Sequence, residues 1–334
     1  MHSLGCMEPK TLLLIAAITT FILITPPKSR AAANTLRGAV ITTDGTMVDD
    51  FMVIARPVLD RPELVQRKRF KNGIFRLDDL DRSNYQIIVT AREFIGVRMD
   101  VDFPQNGSST NFRLVMLHRI RHTRHFAADP ANTLSVATLK QHVPDAAKEH
   151  YEKAVDLHRE GHLDEALLEY GNALRVYPNY LPAMTDAGTI YLLLNHVDVA
   201  LIFFRRASDI DPKNCVIRVN MAAALVQKKE YSDAIKILNS VLKDSADKAL
   251  PNLILAQTYF FQKKFPVAEE NARLALKYDP QLLDGWLLIV NMGLETKDYT
   301  LVREGLGQLR QAMNNRAFSE FVDAEMASLG AENQ

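Results

Sequence analysis

Residues 181–214 read LPAMTDAGTIYLLLNHVDVALIFFRRASDIDPKN, and this stretch decides the architecture of half the chain. It contains two helical runs separated by a short turn, Leu194-Asn195-His196, with Asp211-Pro212 after the second. The pattern recurs at one fixed period. Ala166, Ala200, Ala234 and Ala268 are 34 residues apart, as are Pro178, Pro212, Ala246 and Pro280. Ala154, Gly188, Ala222 and Ala256 form a third series; Leu163, Val197, Tyr231, Phe265 and Tyr299 form a fourth. Four series in one phase specify a stack of helical hairpins.

Each series has a physical role. The small residues let two antiparallel helices approach to about 8–10 Å. The apolar residue after each turn closes the open end of the hairpin. The prolines stop the second helix, because the residue before a proline is pushed out of the helical region. Asp164, Asp198 and Asp233 fall in first turns, where the helix dipole favours negative charge.

The residues that carry the pattern, Ala187-Gly188-Thr189-Ile190-Tyr191, Ala200, Phe204, Ala207 and Asp211-Pro212, resemble the tetratricopeptide repeat family. The resemblance covers about 185 residues. It predicts repeats at 147–180, 181–214, 215–248 and 249–282, and a degenerate fifth from Leu283 with Trp286 and Tyr299. A helix over 317–329 is expected to cap the open end, as solenoids require. The family binds protein partners on a concave face lined by first helices. That face is expected to use Thr185, Thr189, Val219, Leu253, Gln257 and Phe260, with Val219, Leu253 and Phe260 exposed to an apolar segment. The family's clamp for acidic C-termini is disfavoured: its fifth positions hold Tyr151, Thr185, Val219 and Leu253, and its ninth hold Val155, Thr189, Ala223 and Gln257.

Working towards the N-terminus, the period changes to two. The runs 36–42, 51–56, 73–77, 85–92, 96–103 and 111–117 are rich in β-branched and aromatic residues and are separated by turn signals such as Asp44-Gly45 and Asn72-Gly73. A further edge strand fits 63–70, where Arg67-Lys68-Arg69 would discourage edge pairing. This predicts an antiparallel β sandwich. Gly38-Ala39-Val40, Asp44-Gly45, Asn72-Gly73-Ile74-Phe75-Arg76-Leu77, Tyr85-Gln86-Ile87-Ile88-Val89 and Phe94 resemble a carboxypeptidase regulatory-like domain, an all-β Greek-key sandwich of the transthyretin-like type. That resemblance implies an accessory module without chemistry.

Residues 11–25, TLLLIAAITTFILIT, are uncharged. The run is short of the about 20 residues of a spanning helix and suits a secretory leader. The expected organisation is a signal peptide at 1–33 cleaved after Ala33, a sandwich at 34–120, a linker at 121–145 and an all-α tetratricopeptide solenoid at 146–334. Periplasmic or secreted localisation follows. The alternative is an uncleaved inner-membrane anchor, because Lys28 and Arg30 lie before the cleavage site.

The 334 residues carry 40 basic and 40 acidic side chains, so no global charge points to nucleic acid. Residues 34–142 hold 16 basic and 12 acidic residues, and 143–334 hold 21 and 27, a split too mild for that role. Cys6 and Cys215 are too few for a disulfide framework, and Cys215 reads as a half-buried inert thiol. His118, His122 and His125 are interleaved with arginines that would repel a metal, and Asp78-Asp79-Leu80-Asp81 lacks calcium-loop spacing. No nucleophile, phosphate-loop or zinc motif is present, so no catalytic residue, metal or cofactor is expected. The expected function is a non-catalytic protein–protein interaction scaffold of the bacterial cell envelope, with an unidentified protein or peptide partner and membrane contact only through an uncleaved leader. The alternative is a carbohydrate- or cell-wall-binding protein in which Tyr85, Phe94 and Phe103 of the sandwich stack on sugars.

Overall fold

The computed structural model describes residues 22–24, 34–42, 45–59, 62–80, 84–94, 96–103, 110–117, 137, 140–245, 247–313 and 315–331. The cleavage site after Ala33, His118, His122 and His125 lie outside them. The chain divides into two compact units, one holding residues 120–279 and the other 16–119 together with 280–334.

Among the described residues the second unit begins with eight strands: β1 (Ile22–Ile24), β2 (Asn34–Thr42), β3 (Asp50–Pro57), β4 (Gln66–Lys71), β5 (Ile74–Leu80), β6 (Tyr85–Ala91), β7 (Val97–Val101) and β8 (Thr110–Leu117). They form two four-stranded sheets, ordered β1-β8-β2-β5 and β4-β3-β6-β7. Inward residues of both sheets make one core, with Leu36, Val40, Phe75, Leu77, Val115 and Leu117 on one side and Val53, Ala55, Ile87, Val89, Met99 and Val101 on the other. As expected of 63–70, β4 is an edge strand. The expectation of a wholly antiparallel sandwich is corrected: β2 and β8 run parallel, with Gly38 opposite Arg113. A Cβ on residue 38 would sit 1.9 Å from the Arg113 carbonyl oxygen, so only glycine allows this pairing. β1, drawn from the expected leader, pairs antiparallel with β8.

Three helices complete this unit: α9 (Leu283–Thr296), α10 (Tyr299–Met313) and α11 (Arg316–Ala331). The outer face of β2 and β8 is as apolar as the inner one. Ala39, Ile41, Phe112, Leu114 and Met116 form a second core with Leu287, Val290, Leu294, Val302, Leu306, Leu309, Phe318 and Val322. Phe112 stacks on Phe321 at 5.2 Å. Arg37 of β2 donates to Glu325 of α11 at 2.9 Å. The last hairpin and the capping helix, which the 34-residue phase places with the solenoid at 146–334, thus belong with the sheet. Strands apolar on both faces need a cover on each, and these helices provide one.

The first unit is a run of hairpins: α1 (Asp145–Glu160), α2 (Leu163–Val176), α3 (Leu181–Leu193), α4 (Val197–Ile210), α5 (Cys215–Gln227), α6 (Tyr231–Asp244), α7 (Ala249–Phe261) and α8 (Phe265–Tyr278). First helices start at residues 181, 215, 249 and 283, and second helices at 163, 197, 231, 265 and 299, so the period read from the sequence is the period of the helices. Ala154, Ala166, Ala200, Ala222, Ala234, Ala256 and Ala268 are fully buried at the crossings. Residues 161, 195, 229, 263 and 297 all take a left-handed conformation, with φ between 58° and 84°, although only the first is glycine. These are the turn residues that let each hairpin reverse. Among the described residues no helix is long and apolar enough to cross a membrane.

Candidate partner-binding site

The expected concave-face residues lie on first helices, but five of the six are enclosed. Thr189, Val219, Leu253, Gln257 and Phe260 are all buried, and Thr185 is half-buried with its hydroxyl donating to the Leu181 carbonyl. The expectation of an exposed Val219–Leu253–Phe260 stripe is therefore corrected. Phe260 belongs to its own hairpin: its ring meets Phe265, the first residue of α8, edge-on at 5.7 Å. The 34-residue spacing does bring Val219 and Leu253 to equivalent faces, yet such a face also carries the contacts between neighbouring first helices. Thr189 accepts there from Asn220 at 3.2 Å, joining α3 to α5.

Among the described residues, a cleft lies along α1. It has a volume of about 760 Å³ and is lined by Gln141, His142, Val143, Pro144, Lys148, Tyr151, Glu152, Val155, Asp156, Arg159 and Tyr180. Tyr151 and Val155, the fifth and ninth positions of the first repeat, both line this cleft. Gln141 holds its rim by accepting from the Leu181 amide at 3.2 Å.

Beneath it lies a polar core. Asp186 of α3 is buried, and the Tyr151 hydroxyl donates to its Oδ2 at 2.8 Å. Burial raises its pKa to about 7, against the opposing hydrogen bond from Tyr151. The rings of Tyr151 and Tyr170 lie 5.7 Å apart, and those of Tyr151 and Tyr180 5.1 Å. Burial, followed by the Glu152 and Asp186 charges, pushes Tyr180 up to about 12. On the other side of α1, Glu169 of α2 accepts from Lys153 and pairs with His150 at 2.7 Å. Those two hydrogen bonds hold its pKa at about 2. Sequence reasoning missed Asp186: its equivalents at the 34-residue period are Glu152, Asn220, Ile254 and Leu288, and spacing alone does not tell that Glu152 is exposed while Asp186 is buried.

The charges of the cleft are unevenly paired. Lys148 is engaged by Asp145 at 2.8 Å and Arg159 by Asp156 at 3.0 Å. Glu152 has no ion-pair partner among the described residues. The cleft thus offers aromatic and aliphatic walls and one uncompensated carboxylate.

Other sequence candidates resolve individually. Asp78 lies in β5 and accepts from Thr35 at 2.9 Å and Arg76 at 2.8 Å. Tyr85 and Phe103 pack edge-on at 6.0 Å inside the sandwich core, and Phe94 packs against that core, so the proposed sugar-stacking rings are structural. Cys215, expected as an inert thiol, is buried and disulfide-bonded; Cys6 lies outside the described residues.

Comparison with known proteins agrees with the helical reading. Residues 198–258 match the tetratricopeptide repeat family model. No curated protein matches the chain. Among solved structures, MamA from Desulfovibrio magneticus is similar at 18% identity and a TM-score of 0.46, covering 52% of this chain and 98% of its own. Pseudomonas aeruginosa PilF is similar at 18% identity and a TM-score of 0.47, covering 56% and 90%. PilW, described as a type IV pilus biogenesis factor, is similar at 16% identity and a TM-score of 0.48, covering 57% and 100%.

Proposed function

We propose that the protein is a non-catalytic interaction scaffold whose repeat unit holds a protein segment in the α1 cleft. The single observation that carries the reading is that cleft: a first-helix face of a tetratricopeptide array, walled by Tyr151, Tyr180, Val143 and Val155, with Glu152 unpaired. A partner segment with a lysine or arginine beside an apolar residue fits it. Such a charge, placed between Glu152 and two tyrosine rings, gains both ion pairing and cation–π attraction. The sandwich is proposed as an accessory module of the carboxypeptidase regulatory-like, transthyretin-like type. The chain is further proposed to be exported to the cell envelope; cleavage after Ala33 would then remove β1 and Cys6, the one other cysteine, leaving β8 as a sheet edge and Cys215 without an intrachain disulfide.

Affinity capture from the native source, followed by mass spectrometry, tests the reading. Glu152→Arg, an exposed change, should reduce the captured partner about tenfold, roughly the effect of reversing a central charge. Capture unaffected by Glu152→Arg and by Lys148→Glu would remove the cleft from consideration. A hydrolytic activity abolished by one point substitution would overturn the scaffold reading itself. Mass spectrometry of the native protein should find Asn34 as the first residue; an intact N-terminus would point to the anchored form.

A further inference from the structure

The two outer faces of the sandwich differ in one respect. The face of β2 and β8 is covered by α9–α11. The opposite outer face, on β4-β3-β6-β7, presents side chains that belong to neither core. Their order follows from the strand register. One row crosses the sheet as Arg67, Ile54, Ile88 and Arg98, and the next as Arg69, Met52 and Thr90. Ile54 and Ile88 are half-buried, Met52 is 39% exposed, and the arginines at both edges are exposed. A solvated face of an antiparallel sheet is ordinarily polar throughout. Here Met52, Ile54 and Ile88 lie on the two central strands, with a basic edge on β4 and Arg98 beside Asp100 on the β7 edge.

We propose that this face binds an acidic amphipathic helix of a protein partner. The dimensions favour a helix. Arg67 and Arg98 are three strand spacings apart, about 14 Å, and a helix with its side chains is about 10–12 Å wide. A helix laid along the strands would put its apolar stripe on Met52, Ile54 and Ile88 and its flanking carboxylates beside the edge arginines. Charge complementarity is available as well. Asp50 is engaged by Arg69, whereas Arg56, Arg67 and Arg98 have no ion-pair partner among the described residues. Lys71 adds to the β4 edge, which carries most of the positive charge; on the β7 edge Arg98 is followed by Asp100 and, just past the strand, Asp102. A flat anionic bilayer would reach the arginine tips but not the half-buried isoleucines between them, so a protein helix is the better fit. This surface is separate from the α1 cleft, and its failure would leave that reading untouched.

The test uses the full chain and a fluorescent synthetic helix of about 13 residues, the length that matches a six-residue strand. Leucines form its apolar stripe and glutamates its flanks. Anisotropy titration should show saturable binding that weakens as salt is raised. The double charge reversal Arg67→Glu with Arg98→Glu should lower affinity at least about tenfold, and Met52→Asp by a similar factor. Because all three positions are exposed, unchanged melting of the variants should accompany the loss. The milder pair Arg67→Gln with Arg98→Gln provides the same readout if reversal disturbs folding. Absence of saturable binding, equal affinity of the reversed variant, or equal binding of a lysine-for-glutamate helix would overturn the proposal. Binding only to phosphatidylglycerol vesicles in a parallel flotation assay would overturn it in favour of an anionic membrane surface.

Discussion

The Tyr151 hydroxyl and the Asp186 carboxyl, 2.8 Å apart, join the first helix of one hairpin to the first helix of the next. Asp186 is buried, and its pKa of about 7 means that the folded chain keeps a proton which the unfolded chain, near 3.8, has released. Its contribution to stability is therefore complete below about 4 and is lost as pH rises through about 7. His158 of α1, held at about 4 chiefly by burial and then by Arg159, acts in the opposite direction between about 4 and its ordinary 6.5. Glu169, at about 2, changes only in more acidic solution. The expected outcome is that Asp186→Asn, which still accepts from Tyr151, removes the loss of α1–α2 protection between pH 4 and 7 that the parent shows. Hydrogen exchange resolved on α1, α2 and α3 checks it; identical pH profiles would show that Asp186 does not titrate there.

The left-handed turn residues supply a second prediction. Lys229 and Lys263 have φ of 66° and 58° and are exposed without ion pairs among the described residues. A left-handed conformation costs a non-glycine residue about 1 kcal/mol or more. Lys229→Gly and Lys263→Gly should each stabilise the repeat unit by up to about 1 kcal/mol, offset in part by the entropy of glycine. Thermal melts decide it: a lowered midpoint in both variants would contradict the assigned turns.

Gly38 marks the opposite case. A methyl group there meets backbone, the Arg113 carbonyl, and also approaches the Phe75 ring at 2.8 Å. Gly38→Ala should part β2 from β8 and cost about 3 kcal/mol or more, in the range of severe core overpacking. Near-native melting of that variant would refute the parallel register.

A fragment of residues 34–120 should be insoluble by itself, because it exposes Ala39, Ile41, Phe112, Leu114 and Met116. Co-expression with residues 280–334 should rescue it. In the whole chain, Arg37→Met leaves Glu325, only 3% exposed, without its cation; α11 should then exchange its amides faster, as expected when one partner of a buried pair is removed. A soluble, cooperatively melting 34–120 fragment would show that the sandwich needs no helical cover.

Much of this was legible in the residues. The 34-residue recurrence of Ala166, Ala200, Ala234 and Ala268 fixes hairpin positions because it reports contacts within and between neighbouring hairpins, and those repeat along the chain. Strand alternation located every sandwich strand from residue 34 onward for the same reason: period two is a local property of the backbone. Pairing partners are not local, so the parallel β2–β8 ladder was misread. The groove residues were misread on similar grounds. Spacing tells which side chains share a face, as Val219 and Leu253 do, but not whether that face meets water.

The amino-acid sequence by itself determined the two element types, the repeat length and the order of strands and helices, since each rests on interactions within about one hairpin. Only the tertiary structure decided that α9, α10 and α11 close the outer face of β2 and β8, that Asp186 lies sealed beneath Tyr151, and that the opposite sheet face carries Ile54 and Ile88 between Arg67 and Arg98. Those outcomes depend on which apolar surfaces meet across long stretches of chain, and the free energy of burying them is blind to distance along the sequence.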